Sequence, residues 1–257
     1  MSRSKILVGL NFLQIELVKN GFCEDISQIA SAITQIKSGN ANQWGYQIVD
    51  LPINLKGTAP NSNPILKENG SIIYLTVSIS ENKTAKDINN LILSSDFSIL
   101  IKGVEKKTGK EFYTGWHLDN DYKKHGSKQE NSKNAYYIHP QYHISFGGAK
   151  LENLINYNPG DHLSLKSPRL PHPPMDIFLA IDFILEHFIC FDEHQNLTRS
   201  PSYIDYINFS QARLWRPYYT AIAKNWCPSG CPLSLLNDSE RYRYLPQLDY
   251  LNPPNAK

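Results

Sequence analysis

The sequence predicts an α+β fold: a central antiparallel sheet of about four strands, with N-terminal helices before it and C-terminal helices packed on one of its faces. Three observations predict it. Apolar residues keep helical spacing in residues 1–37 and again in 174–226. Between 71 and 148 they alternate with polar residues, as strands do. Connection length, above all the tight turn at 105–110, suits a mostly antiparallel pairing of that middle block. At 257 residues the chain can bury one substantial core, and we read 1–257 as a single domain.

The first helix is marked by Ile6, Leu10, Leu13 and Leu17, and Asn20-Gly21 supplies its stop. Glu24 and Asp25 open a second, with Ile26, Ile29, Ala30, Ile33 and Ile36 as its apolar stripe. Residues 38–70 are rich in Asn, Gly and Pro and read as a loop, in which Trp44, Tyr46, Ile48, Val49 and Leu51 form a short strand or a lid. Ile73, Leu75, Val77 and Ile79 alternate along a β-branched strand, and residues 97–104 make another. A turn at 105–110 then leads into the strand 112–119, a hairpin signal. The last strand is 136–146. Residues 167–174 carry four prolines and are stiff and extended. From Pro174 or Met175 a buried helix runs to about Phe188, and residues 203–226 form one more helix, kinked or split at Pro217. Residues 232–257 are a polar tail.

Composition narrows the function classes. With 41% hydrophobic and 19% charged residues the chain is not disordered. A formal charge of +2 gives no support for a broadly basic, nucleic-acid-coating surface, though nucleic acid as a partner through a local patch stays open. No apolar run approaches the roughly 20 residues that span a bilayer. The opening residues imitate a signal peptide, but Asn11, Gln14 and Glu16 interrupt the apolar region and no small-residue cleavage site follows. A cytoplasmic protein without a membrane partner is expected. Four cysteines do not make a disulfide framework. Cys23 and Cys190 read as buried thiols; Cys227 and Cys231 lack a second ligand pair at finger spacing and read as part of a Pro/Gly turn.

Candidate chemistry concentrates in residues 112–147, which hold four of the eight histidines. Side chains alternate faces along a strand, so His117 and Asp119 share a side, as do His139, His143 and Ser145. If the two strands pair, these groups emerge together from a polar face. Imidazole and carboxylate are ligands for a divalent metal, with His117, Asp119 and His143 as the set, because His139 and His143 lie about 13 Å apart along a strand. The same residues also suit metal-free acid–base catalysis, with His143 as base and Asp119 as its orienting carboxylate. A further polar group comprises Arg169, His172, Arg213, Arg216 and Tyr218, basic and aromatic residues that can bind phosphate and stack on bases. Asp182, on a mostly apolar helix, is expected to be buried with a partner: it orients an imidazole from the sheet or, the favoured reading, pairs with Arg169 or Arg213 as a structural lock. No phosphate loop, dinucleotide fingerprint or calcium loop is present in the sequence.

The order Trp116-His117-Leu118-Asp119, then residues 139–148, then residues 167–176 before a buried helix resembles a group of bacterial proteins without an assigned activity. In layout it is also similar to small bacterial toxins of the TumE type, which place a His-rich strand before a proline-containing loop and a helix. The resemblance covers residues 112–188 and transfers no catalytic residue. It implies a prokaryotic, intracellular setting and a role in a toxin or antiviral defence operon. Two functions follow as expectations. The first is a non-catalytic binding or accessory subunit of a bacterial multiprotein system, holding a protein partner through the polar sheet face, the proline segment or the tail. The second is a hydrolase or nuclease acting on nucleic acid or nucleotides, with His117, Asp119, His139 and His143 around the reacting atom. Near-neutral charge and the lack of a strict motif put the first ahead.

Overall fold

The computed structural model describes residues 2–40, 43–55, 71–82, 92–120, 142–147 and 170–226. Helix α1 (Ser2–Lys19) turns Ile6, Leu10, Leu13 and Leu17 fully into the core. It stops where expected: Gly21 takes φ 67°, and the Gly21 and Phe22 amides donate back to the Val18 and Leu17 carbonyls at 2.9 and 2.8 Å. Helix α2 (Ser27–Ser38) buries Ile29, Ala32, Ile33 and Ile36, while the expected Ala30 faces out. Asp25 lies before the helix, its carboxylate accepting the Ser27 amide at 2.9 Å. Arg3 ties the two helices together by donating to the last carbonyls of α2 at Ile36 and Lys37.

Among the described residues the sheet has six strands, not four, and all their pairings are antiparallel in the order β1 to β6. They are β1 (Gln43–Asn54), β2 (Ile72–Asn82), β3 (Ile92–Val104), β4 (Glu111–Asn120), β5 (Tyr142–Phe146) and β6 (Leu170–Pro171). The strands missing from the expected count are the two edges. In β1 the buried residues switch parity, from Trp44, Tyr46 and Ile48 to Leu51 and Ile53. A bulge between Ile48 and Leu51 absorbs the extra residue, with Asp50 at φ 51°. That break in alternation is why the segment reads as a loop. The expected strand 136–146 is described only from Tyr142, and β6 is two residues long, with Pro171 on an edge that needs no amide donor. Helix α2 guards the opposite edge: the Gln35 amide group bonds both the Gln47 N–H (2.8 Å) and its carbonyl (3.2 Å), standing in for a further strand.

One face of the sheet carries the core. Ile73, Leu75, Val77 and Ile79 of β2 join Phe97, Ile99, Leu118 and Ile144 in a single apolar cluster with residues of every helix up to the last. Helix α3 (Ile177–Phe188) crosses this face, and Phe183 meets Phe97 edge-on at 5.8 Å. Asp176 caps α3 by accepting the Leu179 amide at 3.1 Å. Gly9 lets α1 approach: a Cβ there would stand 2.4 Å from Phe178, whose ring is stacked on Tyr206. Helix α4 (Phe191–Thr198) is an addition to the expected elements. Helix α5 (Pro201–Ser210) starts with Ser200 as cap and Pro201 in its first turn. A π turn (Gln211–Trp215) joins it to α6 (Arg216–Trp226). The irregularity thus precedes Pro217, whose ring cannot donate and crowds the carbonyl four residues back, so the turn before it widens. No described helix is long and apolar enough to cross a membrane.

Candidate functional site

Strand pairing places Asp119 opposite His143 and His117 opposite Ser145, all on the face away from the apolar core. The Asp119 carboxylate lies between two imidazoles, 3.3 Å from His117 Nε2 and 3.8 Å from His143 Nε2. Exposure of the side chains is graded: 29% for Asp119, 17% for His117 and 2% for His143. Beside His117 a hollow of about 160 Å³ is lined by Asp50, Thr76, Ser98, Gly115 and Gly147. A carboxylate in this position can orient one imidazole, the arrangement that acid–base chemistry uses. His139 lies outside the described residues. Among the described residues, no group of three His, Cys, Asp or Glu side chains is arranged to hold a metal ion.

The second polar group is taken apart by the fold. Arg213 turns inward from the π turn and forms ion pairs with Glu81 of β2 and with Asp176. Asp176 also accepts the Ser210 hydroxyl at 2.6 Å, and the buried Tyr46 hydroxyl accepts the Ile177 amide at 3.1 Å. Burial pushes the Asp176 carboxyl up to about 6, against the hydrogen bonds that hold it down. Burial also pulls the Arg213 guanidinium down to about 10, so both groups are charged at neutral pH. Arg213 is the cation of a lock, as expected, but its partners are Asp176 and Glu81 where Asp182 was expected. Tyr218 is buried, edge-on to Tyr142 at 5.9 Å, and Arg216 is exposed. Arg169 lies outside the described residues. Arg213 and Tyr218 are therefore packed among the C-terminal helices, and among the described residues they share no exposed face with Arg216.

His172 and Asp182 belong instead to a cleft that the linear sequence does not reveal. It lies between α3 and α5 at the β4–β5 end of the core face and has a volume of about 1180 Å³. Trp116, Phe183, Tyr203 and Trp215 are among its walls, and Asp182, Glu186, His187 and Arg199 also line it. Asp182 accepts the Tyr203 hydroxyl at 3.1 Å. Burial pushes its carboxyl up to about 6, the Tyr203 bond opposing and the Glu186 charge adding. Burial lowers the His172 pKa, keeping the ring neutral near pH 7, and the ring meets Phe183 and Trp215 edge-on.

The outer ridge of α1 is a third feature. Ser4, Val8, Asn11, Ile15 and Val18 all face outward, at alternating spacings of four and three residues. Val8, Ile15 and Val18 are 62%, 65% and 46% exposed. Cys23 is a buried thiol, pushed up to about 11 by burial, and Cys190 is half-buried. The chain matches no protein-family model, and no curated protein or solved structure matches it.

Proposed function

We propose that the protein is a non-catalytic binding subunit that docks on a partner protein through α1, as an accessory component of a bacterial multiprotein system. The ridge of α1 carries this reading. Solvent-facing helix ridges are ordinarily charged or polar, whereas three of the five residues of this one are aliphatic, Val8, Ile15 and Val18. Their spacing has the 3.5-residue repeat of paired helices, with Asn11 as a polar step of the kind that fixes register. The opposite side of α1 is already in the core, so the helix is apolar on two faces, as a helix inside an assembly is.

The test compares wild type with a Val8→Lys/Ile15→Lys variant, first in capture from native cells and then in titration against the purified partner. The variant should keep its unfolding midpoint and weaken association by at least about tenfold, since each charge replaces aliphatic surface worth roughly 1.5–3 kcal/mol when buried. Equal affinity in the two proteins would remove α1 as the docking surface.

A second reading, a hydrolase or nuclease, is favoured by the position of Asp119 between His117 and His143. Here bound metal is quantified, and nuclease and nucleotide-hydrolysis assays are run, on wild type and on His117→Ala/His143→Ala. Turnover by wild type that is absent in the folded variant would put this reading first. Absence of turnover from both would leave the binding role standing.

A further inference from the structure

The cleft between α3 and α5 is independent of the docking ridge and of the outer-face histidines. Its lining sets the two carboxylates Asp182 and Glu186 among neutral polar side chains such as Thr198, Asn208 and Gln211 and a single guanidinium, Arg199. Asp182 is paired by the Tyr203 hydroxyl, and among the described residues no cation sits on it. The Nδ1 atom of His172 lies 2.7 Å from the Pro173 carbonyl oxygen. A carbonyl only accepts, so Nδ1 carries the hydrogen and Nε2 is left as an acceptor. The Trp215 indole N–H is already donated to the Pro174 carbonyl at 3.0 Å. Glu186 stands one helical turn beyond Asp182, and Arg199, the one guanidinium among the lining residues, lies 4.8 Å over the Phe191 ring. The lining is thus net acidic and rich in π faces.

A part-buried carboxylate without a cationic partner is costly, and a ligand that brings the cation removes that cost. Aromatic walls attract the same charge through their ring faces and take up an apolar skeleton. A neutral ligand would leave the carboxylate desolvated, and an anionic one would add repulsion. We propose that the cleft binds an organic ammonium ion, its charged nitrogen on Asp182 and its apolar skeleton against Phe183 and Trp215. The ammonium can belong to a free amine or to a lysine side chain, and the choice of probes separates these sources.

The experiment is calorimetric titration of the full chain at pH 7.5 with 2-phenylethylamine, its neutral analogue 2-phenylethanol, the anion 3-phenylpropionate, and N-acetyl-lysine methylamide. Saturable binding of the aromatic amine, at least about tenfold tighter than the alcohol or the anion, is expected. Stronger binding of the lysine compound than of the aromatic amine would assign the site to a peptide side chain. Asp182→Asn should lose at least about tenfold in affinity without a lower unfolding midpoint. Glu186→Gln, at an exposed position, should lose a smaller factor and serves if the first variant does not fold. Binding of the alcohol as tight as the amine, or amine affinity unchanged in both variants, overturns the proposal, as does the absence of binding by either ammonium compound. The Val8→Lys/Ile15→Lys variant should bind the amine as wild type does, so loss of the docking role and loss of this site are told apart.

Discussion

Asp50 shows how one residue can hold a strand in register. Its φ of 51° is the only positive value at a non-glycine position among the described residues. Aspartate tolerates that region because its short polar side chain bonds locally. Here the Asp50 amide donates to Thr76 Oγ1 at 3.1 Å, and that hydroxyl donates to the carboxylate at 3.2 Å. Asp50→Asn should therefore be close to neutral, whereas Asp50→Val should lose about 2 kcal/mol in urea unfolding, from left-handed strain and the lost bonds. Asp182 makes a different residue-scale prediction. Burial lifts its folded pKa to about 6, above the ordinary aspartate value of 3.8, so the folded state binds more protons between these values. The contribution is fully present below about pH 4 and is lost as pH rises through about 6. Relative to wild type, Asp182→Asn should gain on the order of 2 kcal/mol between pH 4 and pH 7, read from denaturation midpoints at each pH. A flat difference across that range would remove the desolvated carboxylate.

Among the elements, the π turn decides most. A regular helix through Gln211–Trp215 would present its side chains in the ordinary 3.6-residue rotation. The widened turn instead brings Arg213 between carboxylates from β2 and from the cap of α3, linking the sheet to the C-terminal helices. Arg213→Met would leave Glu81 and Asp176 facing each other without their cation. It should cost about 3–5 kcal/mol, the penalty for orphaning buried charge, and Glu81→Gln/Asp176→Asn on that background should recover most of it. Chemical denaturation of the single and triple variants measures both. A loss below about 1 kcal/mol for Arg213→Met would mean that the turn is held by packing alone. Trp215, in the same turn, is delivered to the cleft wall, so the device that locks the core also shapes the proposed ammonium site.

On the scale of the whole molecule, the candidate surfaces face different ways. The sheet's outer face holds His117, Asp119 and His143; the core face opens into the aromatic cleft; α1 shows its aliphatic ridge on the outside of the helical layer. Each surface has a substitution that should leave the others intact, which makes the binding, hydrolytic and ammonium readings separable in one set of purified variants.

The sequence by itself determined the elements whose periodicity is unbroken. These are α1, α2, β2 and the buried α3; alternation also put His117 with Asp119 on one side of their strand, while the pairing of β4 with β5 that brings His143 to them was decided by the fold. It also marked Asp182 as needing a partner, since a carboxylate in an apolar stripe must be satisfied. What only the tertiary structure decided depends on contacts between residues far apart in the chain. A one-residue bulge inverted the alternation of β1, so that strand was hidden. The two-residue β6 is too short to leave a period. Arg213 found Glu81 and Asp176 rather than Asp182, because the π turn sets its direction: Pro217 marks an irregularity there but not where a side chain in it will point. The cleft joins residues from β4 to the π turn, which meet only after the helices have closed over the sheet.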